Sequence, residues 1–419
     1  MRTQIFAVLL ILVSHCQLLA QQNCSSYNYK QQELLNNPSL ANEVNTIENF
    51  VHQKIASRSA TAGKPQGGNI IIKIPVVVHI IYNQPEENIS DEKVYSQIRI
   101  LNENFRRLNA DTANTPLAFR EIAADCEIEF QLAISDPHRK NTTGITRHYT
   151  PVKIWNADDK MKYSAETGTD AWDSKNYLNV WVCNLGRAAG YSSFPGGPAA
   201  KDGIVIAFNV FGINTKAGYE MGKTAVHEAG HWMGLRHIWG DAYCGNDMID
   251  DTPTQNTFTS GCPSGIRTST CGNNINGDMY MNYMDLTLDA CTNLFTEGQK
   301  ERMRATFETG GGRKSILSSY GLLPPLINEI PVSEEVPVWY HPQLYPNPAS
   351  AEMTLDLAYD IRWIGKTLRV TNLQGQLVMQ QLIESKTQKI NISQLRPGMY
   401  ILSGKKDDGS VIKQKFIKL

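Results

Sequence analysis

The sequence has no surplus of either charge: 40 Lys plus Arg stand against 41 Asp plus Glu, a net charge of −1 over 419 residues. No nucleic-acid partner, polybasic membrane patch or acidic tail is therefore expected. Long apolar runs are also scarce. The longest, residues 5–13, falls short of the ~20 residues that a membrane-spanning helix needs, so no integral membrane segment is expected. There is no Cys-x-x-Cys pair, which argues against a zinc–cysteine cluster, and neither Cys16 nor Cys24 sits in a lipobox. What remains is a chain with 41% apolar residues, enough to bury a core in each of the two to three domains that ~150 residues per domain imply.

The apolar run follows Arg2 and precedes Leu18, Leu19 and Ala20, the pattern of a secretory signal over residues 1–20. The chain is expected outside the cell or attached to its surface. Loss of the signal leaves seven cysteines in an oxidising compartment, where disulfides are expected and one thiol is left over. Residues 21–58 are polar, carry one weakly amphipathic stretch (Val44, Ile47, Phe50, Val51) and are read as a detachable pro-segment. A buried strand from Ile70 and a helix over Val94, Ile98, Leu101, Phe105 and Leu108, N-capped by Ser90, open the next unit, 59–320. Strands at 128–134, 178–182 and 203–208 and a helix from about Lys223 predict an α/β core with a mixed sheet. Residues 241–290 lack periodicity and predict a long loop held by cross-links or ions. A last helix opens with Thr296 and Gln299 at capping-box spacing and is expected to run to about Glu308. A Pro-rich linker (321–342) then leads to short strands at 343–419, read as a small β-sandwich.

Residues 227–237 read HEAGHWMGLRH. On a helix, His227 and His231 project from one face, close enough to bind one ion. Gly234 lets the chain turn through a left-handed conformation so that His237 arrives as a third ligand. Three imidazoles and an open position make a catalytic zinc site, with Glu228 placed to take a proton from water and pass it to a leaving amine. Protein or peptide substrates follow from that chemistry. Chance assembly of the full pattern is rare at ordinary residue frequencies.

The motif resembles that of the metzincins and, with GYSSFP at 190–195, MNYMD at 281–285 and NLFTEGQ at 293–299, more closely that of the pappalysin family, over roughly residues 70–307. The resemblance implies a two-lobed α/β (α+β) zincin fold with a mixed sheet and an active-site helix, followed here by the all-β sandwich. It makes Met284 the methionine of the turn beneath the zinc, with Met281 competing for the place. It implies disulfides Cys244–Cys271 and Cys262–Cys291, calcium near Asp247, Asp250, Asp251 and Thr252, and an inhibitory thiol at Cys24 in the pro-segment. Asp289, five residues after Met284, implies a pocket for Arg, or less well Lys, just after the cleaved bond, and Ser57–Arg58 is then a self-cleavage site. One departure is Leu286, where the family usually carries a Tyr thought to hold the transition-state oxyanion. Cys126 and Cys183 either pair or stay buried as small apolar residues. Residues 343–419 resemble a type IX secretion sorting domain through YPNP at 345–348 and the lysine-rich last strand, which makes that machinery a partner. The competing class, a non-catalytic surface adhesin with a relic metal site, rests on Leu286.

Overall fold

The computed structural model describes residues 24–59, 70–272, 275–327, 342–357, 363–385, 387–406 and 411–419; the signal segment and most of the linker lie outside them. The polar stretch read above as a pro-segment folds as two helices, α1 (Ser26–Asn36) and α2 (Leu40–Ser59). The first is absent from the sequence pattern, because only Ser26 and Tyr29 of its residues are buried. Docking on the next unit, rather than a periodic apolar stripe, holds it in place.

That unit is built on β1 (Ile72–Tyr82), buried everywhere but Lys73. A strand covered on both faces needs a nearly continuous apolar run, as its sequence provides. β2 (Ile128–Leu132) and β3 (Ile145–Tyr149) share one side of β1, and β4 (Leu178–Cys183) takes the other. All these pairings are parallel. Beyond β4 come β6 (Gly203–Ala207) and then β5 (Gly190–Ser192), which runs antiparallel at the edge. β5, only three residues long, had no signature in the sequence. α3 (Asp91–Phe105) packs on β2, its N-cap Ser90 accepting from the Lys93 N–H as expected. After the single turn α4 (Leu117–Arg120), α5 (Thr224–Trp232) lies against β5 and β6 with all its residues buried. The last helix, α6 (Glu297–Ala305), is shorter than expected but has the full capping box of Thr296 and Gln299.

The chain does not leave this unit at residue 320. Gly321 O accepts from Ile134 N–H, and Ile327 exchanges backbone bonds with Arg139 and Asn141. Pro324 and Pro325 do not prevent this, since their neighbours supply the N–H and C=O groups.

The C-terminal residues form two antiparallel sheets. One orders β10 (Leu377–Leu382), β9 (Thr367–Asn372), β12 (Gly398–Lys405) and β13 (Val411–Lys418); the other orders β11 (Thr387–Asn391), β8 (Glu352–Asp356) and β7 (Gln343–Tyr345). Alternating residues such as Met353, Leu355, Val370, Ile390, Leu402 and Phe416 bury a core of their own.

Candidate active site

α5 carries His227, Glu228 and His231 and stops at Gly234, whose φ of +87° lies in the left-handed region open to glycine. The reversal brings His237 back to the helix. His231 Nε2 lies 3.1 Å from the Nε2 of His227 and 3.1 Å from that of His237, and 3.5 Å from Cys24 Sγ. Each ring is aimed by its other nitrogen. Nδ1 of His227 donates to Tyr283 O at 2.6 Å, Nδ1 of His231 to Leu235 O at 2.9 Å, and Nδ1 of His237 to the Asp241 carboxylate. These bonds fix the proton on Nδ1 and leave the Nε2 lone pairs facing one point. Burial, and then the neighbouring rings, push the pKa of His227 down to about 3 and that of His231 well below its ordinary value.

Unprotonated nitrogens so close repel unless a cation lies between them. A tetrahedral zinc with bonds of ~2.0–2.1 Å to nitrogen and ~2.3 Å to sulfur sets N···N near ~3.3 Å and N···S near ~3.5 Å. The observed spacings and the donor chemistry fit that ion. The ligand atoms of these four residues all lie within 4.8 Å of one another, close enough to share one ion. Burial, and then the charge of Glu228, push the Cys24 thiol well above its ordinary pKa, so a thiolate there needs a cation beside it.

Cys24 is delivered by a parallel bridge to Gly190 on the edge strand β5, with Ser25 N–H donating to Gly190 O at 3.0 Å. The next residue, Ser26, donates its hydroxyl to Glu228 Oε2 at 2.7 Å and accepts from Ser192 N–H at 2.8 Å. Glu228 is fully buried; burial raises its pKa to about 7, against hydrogen bonds from Ser26 and Cys24. Residues 24–26 thus engage both the histidine cluster and the adjacent carboxylate. Ser26 and Asp241 went unrecognised in the sequence, because neither belongs to a spaced motif and both act across a fold.

Met284 packs beneath the site. It is fully buried, and a Cβ on Gly230 of α5 would stand 2.6 Å from its sulfur. Met281 instead belongs to a separate cluster with Ile238 and Trp239. Tyr283 turns its hydroxyl to Asn104 and Asn109, away from the metal-ligating cluster. Asp289 lines a narrow pocket with Leu286, Thr287 and Thr292 beside Glu228 and Cys24, about 40 Å³ in volume. Its Oδ2 accepts from the N–H groups of Met221 (2.9 Å) and Lys223 (3.2 Å), so it also caps the start of α5. Burial raises its pKa to about 6.

The long loop is stapled by Cys244–Cys271 and Cys262–Cys291, with Cα atoms 5.5 and 5.7 Å apart. Cys126 and Cys183 stay free and buried. Asp247 accepts from the Thr252 hydroxyl and Ile249 N–H, while Asp251 accepts from the Thr296 hydroxyl and Gly298 N–H at the head of α6. Asp250 is exposed.

An HExxHxxGxxH helix with a methionine floor under three convergent imidazoles defines a metallopeptidase of the metzincin class. Residues 161–308 match the family model described as pregnancy-associated plasma protein-A, and residues 343–418 match that of a secretion system C-terminal sorting domain. An extracellular metalloprotease of Coccidioides posadasii is 32% identical over 59% of this chain and 83% of its own. Mature mirolysin of Tannerella forsythia, solved with a cleaved peptide, is 48% identical over 60% of this chain and 96% of its own, with a TM-score of 0.58. A promirolysin mutant is 43% identical over 71% and 97%, with a TM-score of 0.63. The chain belongs to the pappalysin family: it is a secreted zinc metalloendopeptidase with a type IX sorting domain at its C-terminus.

Proposed function

We propose that the chain is made as a zymogen in which His227, His231 and His237 hold zinc, Cys24 supplies the fourth donor, and Glu228 is the general base for hydrolysis of peptide bonds before Arg. The convergence of three Nε2 atoms and one sulfur beside a buried carboxylate carries this reading. Zinc held there supplies Lewis acidity, which lowers the pKa of water to about 7 and polarises a carbonyl. Glu228 accepts the proton of the attacking water and returns it to the leaving amine. In the latent form Ser26 occupies its Oε2, so the base is blocked along with the fourth ligand position. Leu286 leaves the oxyanion without the usual Tyr, and loss of one such donor costs ~3–4 kcal/mol where it has been measured, which slows turnover without abolishing it.

Asp289 receives the guanidinium, which matches a carboxylate bidentately where an ammonium cannot. The pocket, about 40 Å³ in volume, must widen to admit it. Maturation by cleavage of Ser57–Arg58 removes Cys24, which lines that pocket. The bond lies in the last turn of α2, so that turn must fray before it is cut. The units we propose are the signal at 1–20, the pro-segment at 21–58, the catalytic unit from 59, extended through 327 by its backbone bonds, and the sorting domain at 343–419.

Purified full chain tests this. The wild type is expected to acquire Arg58 as its N-terminus and to cleave casein; Glu228→Ala should bind one zinc, stay uncut and be inactive, and Cys24→Ala should mature faster than wild type. A Glu228→Ala protein as active as wild type would discard the general-base role, and a Cys24→Ala protein that matured no faster than wild type would discard the thiol switch. Calcium near Asp247 is also proposed, because that carboxylate is 3% exposed and burial raises its pKa to about 7, a cost that a cation offsets. Asp251 is already engaged by α6. Titrating chelator-stripped protein with calcium should raise its unfolding midpoint; an unchanged midpoint would discard the ion.

A further inference from the structure

The pro-segment also covers the catalytic unit beyond the metal-ligating cluster. Between its helices and the turn after α5 lies a cavity of about 280 Å³, with His231 on one wall and Arg236 and Arg302 on another. Glu48 of α2 fills the charge requirement of that wall. Its carboxylate oxygens lie 2.7 and 2.6 Å from Nη2 of Arg302 and 3.3 Å from Nη2 of Arg236. Arg302 is 2% exposed, and its Nε donates to Gly234 O at 2.8 Å. Its Nη1 is buried with no partner among the described residues. Asp241, the acidic residue of the catalytic unit on this cavity, is engaged with His237, and the ammonium facing it from the pro-segment is Lys30.

A buried guanidinium persists where a carboxylate comes to meet it. Here the carboxylate comes from the segment that maturation removes. Once α2 is gone, Arg302 and Arg236 line a groove that runs to His231 without an acid of their own. Its direction follows from the two pockets. The Asp289 pocket opens on the His227 and Glu228 side of Cys24, whereas this cavity opens on the His231 side, bordered by residues 192–195 at the end of β5. If the first takes the residue after the cleaved bond, as proposed above, the second takes residues before it.

We propose that Arg236 and Arg302 form a subsite for an acidic side chain on the N-terminal side of the scissile bond, with Glu48 as its occupant in the zymogen. The proposal rests on the peptidase reading and deepens it. Substrates with Glu or Asp upstream of the cut and Arg directly after it are then favoured by the mature enzyme. Glu48 combines two effects in the latent form: it blocks the groove and neutralises the two guanidiniums.

The test uses full chain, zinc-loaded and matured, on peptides with a fixed Arg after the cleaved bond and Glu or Gln at each of the positions before it. One position should favour Glu over Gln by about tenfold in kcat/KM, carried by KM, the order of one charge-assisted hydrogen bond. Arg236→Gln should bring that ratio close to one, and Arg236→Lys should keep most of it. Because Arg302 is buried and its replacement risks unfolding, Arg236 carries the test. A purely structural role for Arg236 would alter the unfolding midpoint and leave the ratio unmoved, which would overturn the proposal, as would equal cleavage of Glu and Gln peptides at every position. Failure to cut any Arg peptide would overturn the peptidase specificity on which it stands, and this proposal with it.

Discussion

At the scale of single residues, the site is governed by where protons and lone pairs are forced to sit. The carbonyl oxygens of Tyr283 and Leu235 and the carboxylate of Asp241 each hold one Nδ1, so each histidine presents an unprotonated Nε2 to a common point. Asp289 shows the opposite handling of charge. Burial lifts its pKa to about 6, above its unfolded value, so ionisation near neutral pH costs folding stability and becomes less costly when Arg arrives. Protonation of the free enzyme below about pH 6 removes the charge that attracts Arg. The kcat/KM for a peptide with Arg after the cleaved bond should therefore fall, as pH drops through about 6, relative to an otherwise identical peptide with Ala there. Asp289→Asn should erase that difference and lower the Arg preference about tenfold or more while keeping or raising the unfolding midpoint. A ratio of the two peptides flat from pH 5 to pH 8 would remove Asp289 from the pocket's chemistry.

At the scale of elements, the sequence was legible where a signal is local. The histidine spacing, the Ser90 cap, the Thr296 and Gln299 box, the all-apolar β1 and the left-handed stop at Gly234 are each specified within a few residues, and each is found in place. The parts that were not legible are contacts between distant elements. Helix α1 has almost no buried face, β5 is three residues of an edge, and Ser26 reaches Glu228 over 202 positions. The same distinction explains the loop at 241–290, whose composition announced a cross-linked segment but not its path. Its two bridges close segments of 27 and 29 residues, and on the chain-entropy account each is worth ~3–4 kcal/mol. Cys262→Ser with Cys291→Ser is expected to lower stability by about that amount in denaturant unfolding. A far smaller loss would mean that the loop is held chiefly by contacts such as those of Asp285 with Gln255 and Thr259.

At the scale of the whole molecule, the catalytic unit and the sandwich have separate hydrophobic cores. The cluster around β1, β4 and β6 shares no residue with the one containing Met353, Leu355, Val370, Leu402 and Phe416. A core of its own lets each unit fold without the other, and the stretch between them contains Pro331 and Pro337, composition suited to an extended spacer. The latency proposed above, by contrast, would act within the catalytic unit, since Cys24, Ser26 of α1 and Glu48 of α2 reach its cleft directly. Removing everything after Ile327 should then leave the unfolding midpoint of the catalytic unit within about 2 °C of its value in the full chain, the shift that a change of only about 1 kcal/mol makes in a domain of this size. Self-cleavage and activity on Arg peptides should be unchanged, and only export should fail. Fractionation of cells producing the full and truncated chains, with casein zymography of each fraction, reads both outcomes. A truncated protein that still reached the medium would take the sorting role from the sandwich, and one that unfolded several degrees earlier would show that the two cores are coupled.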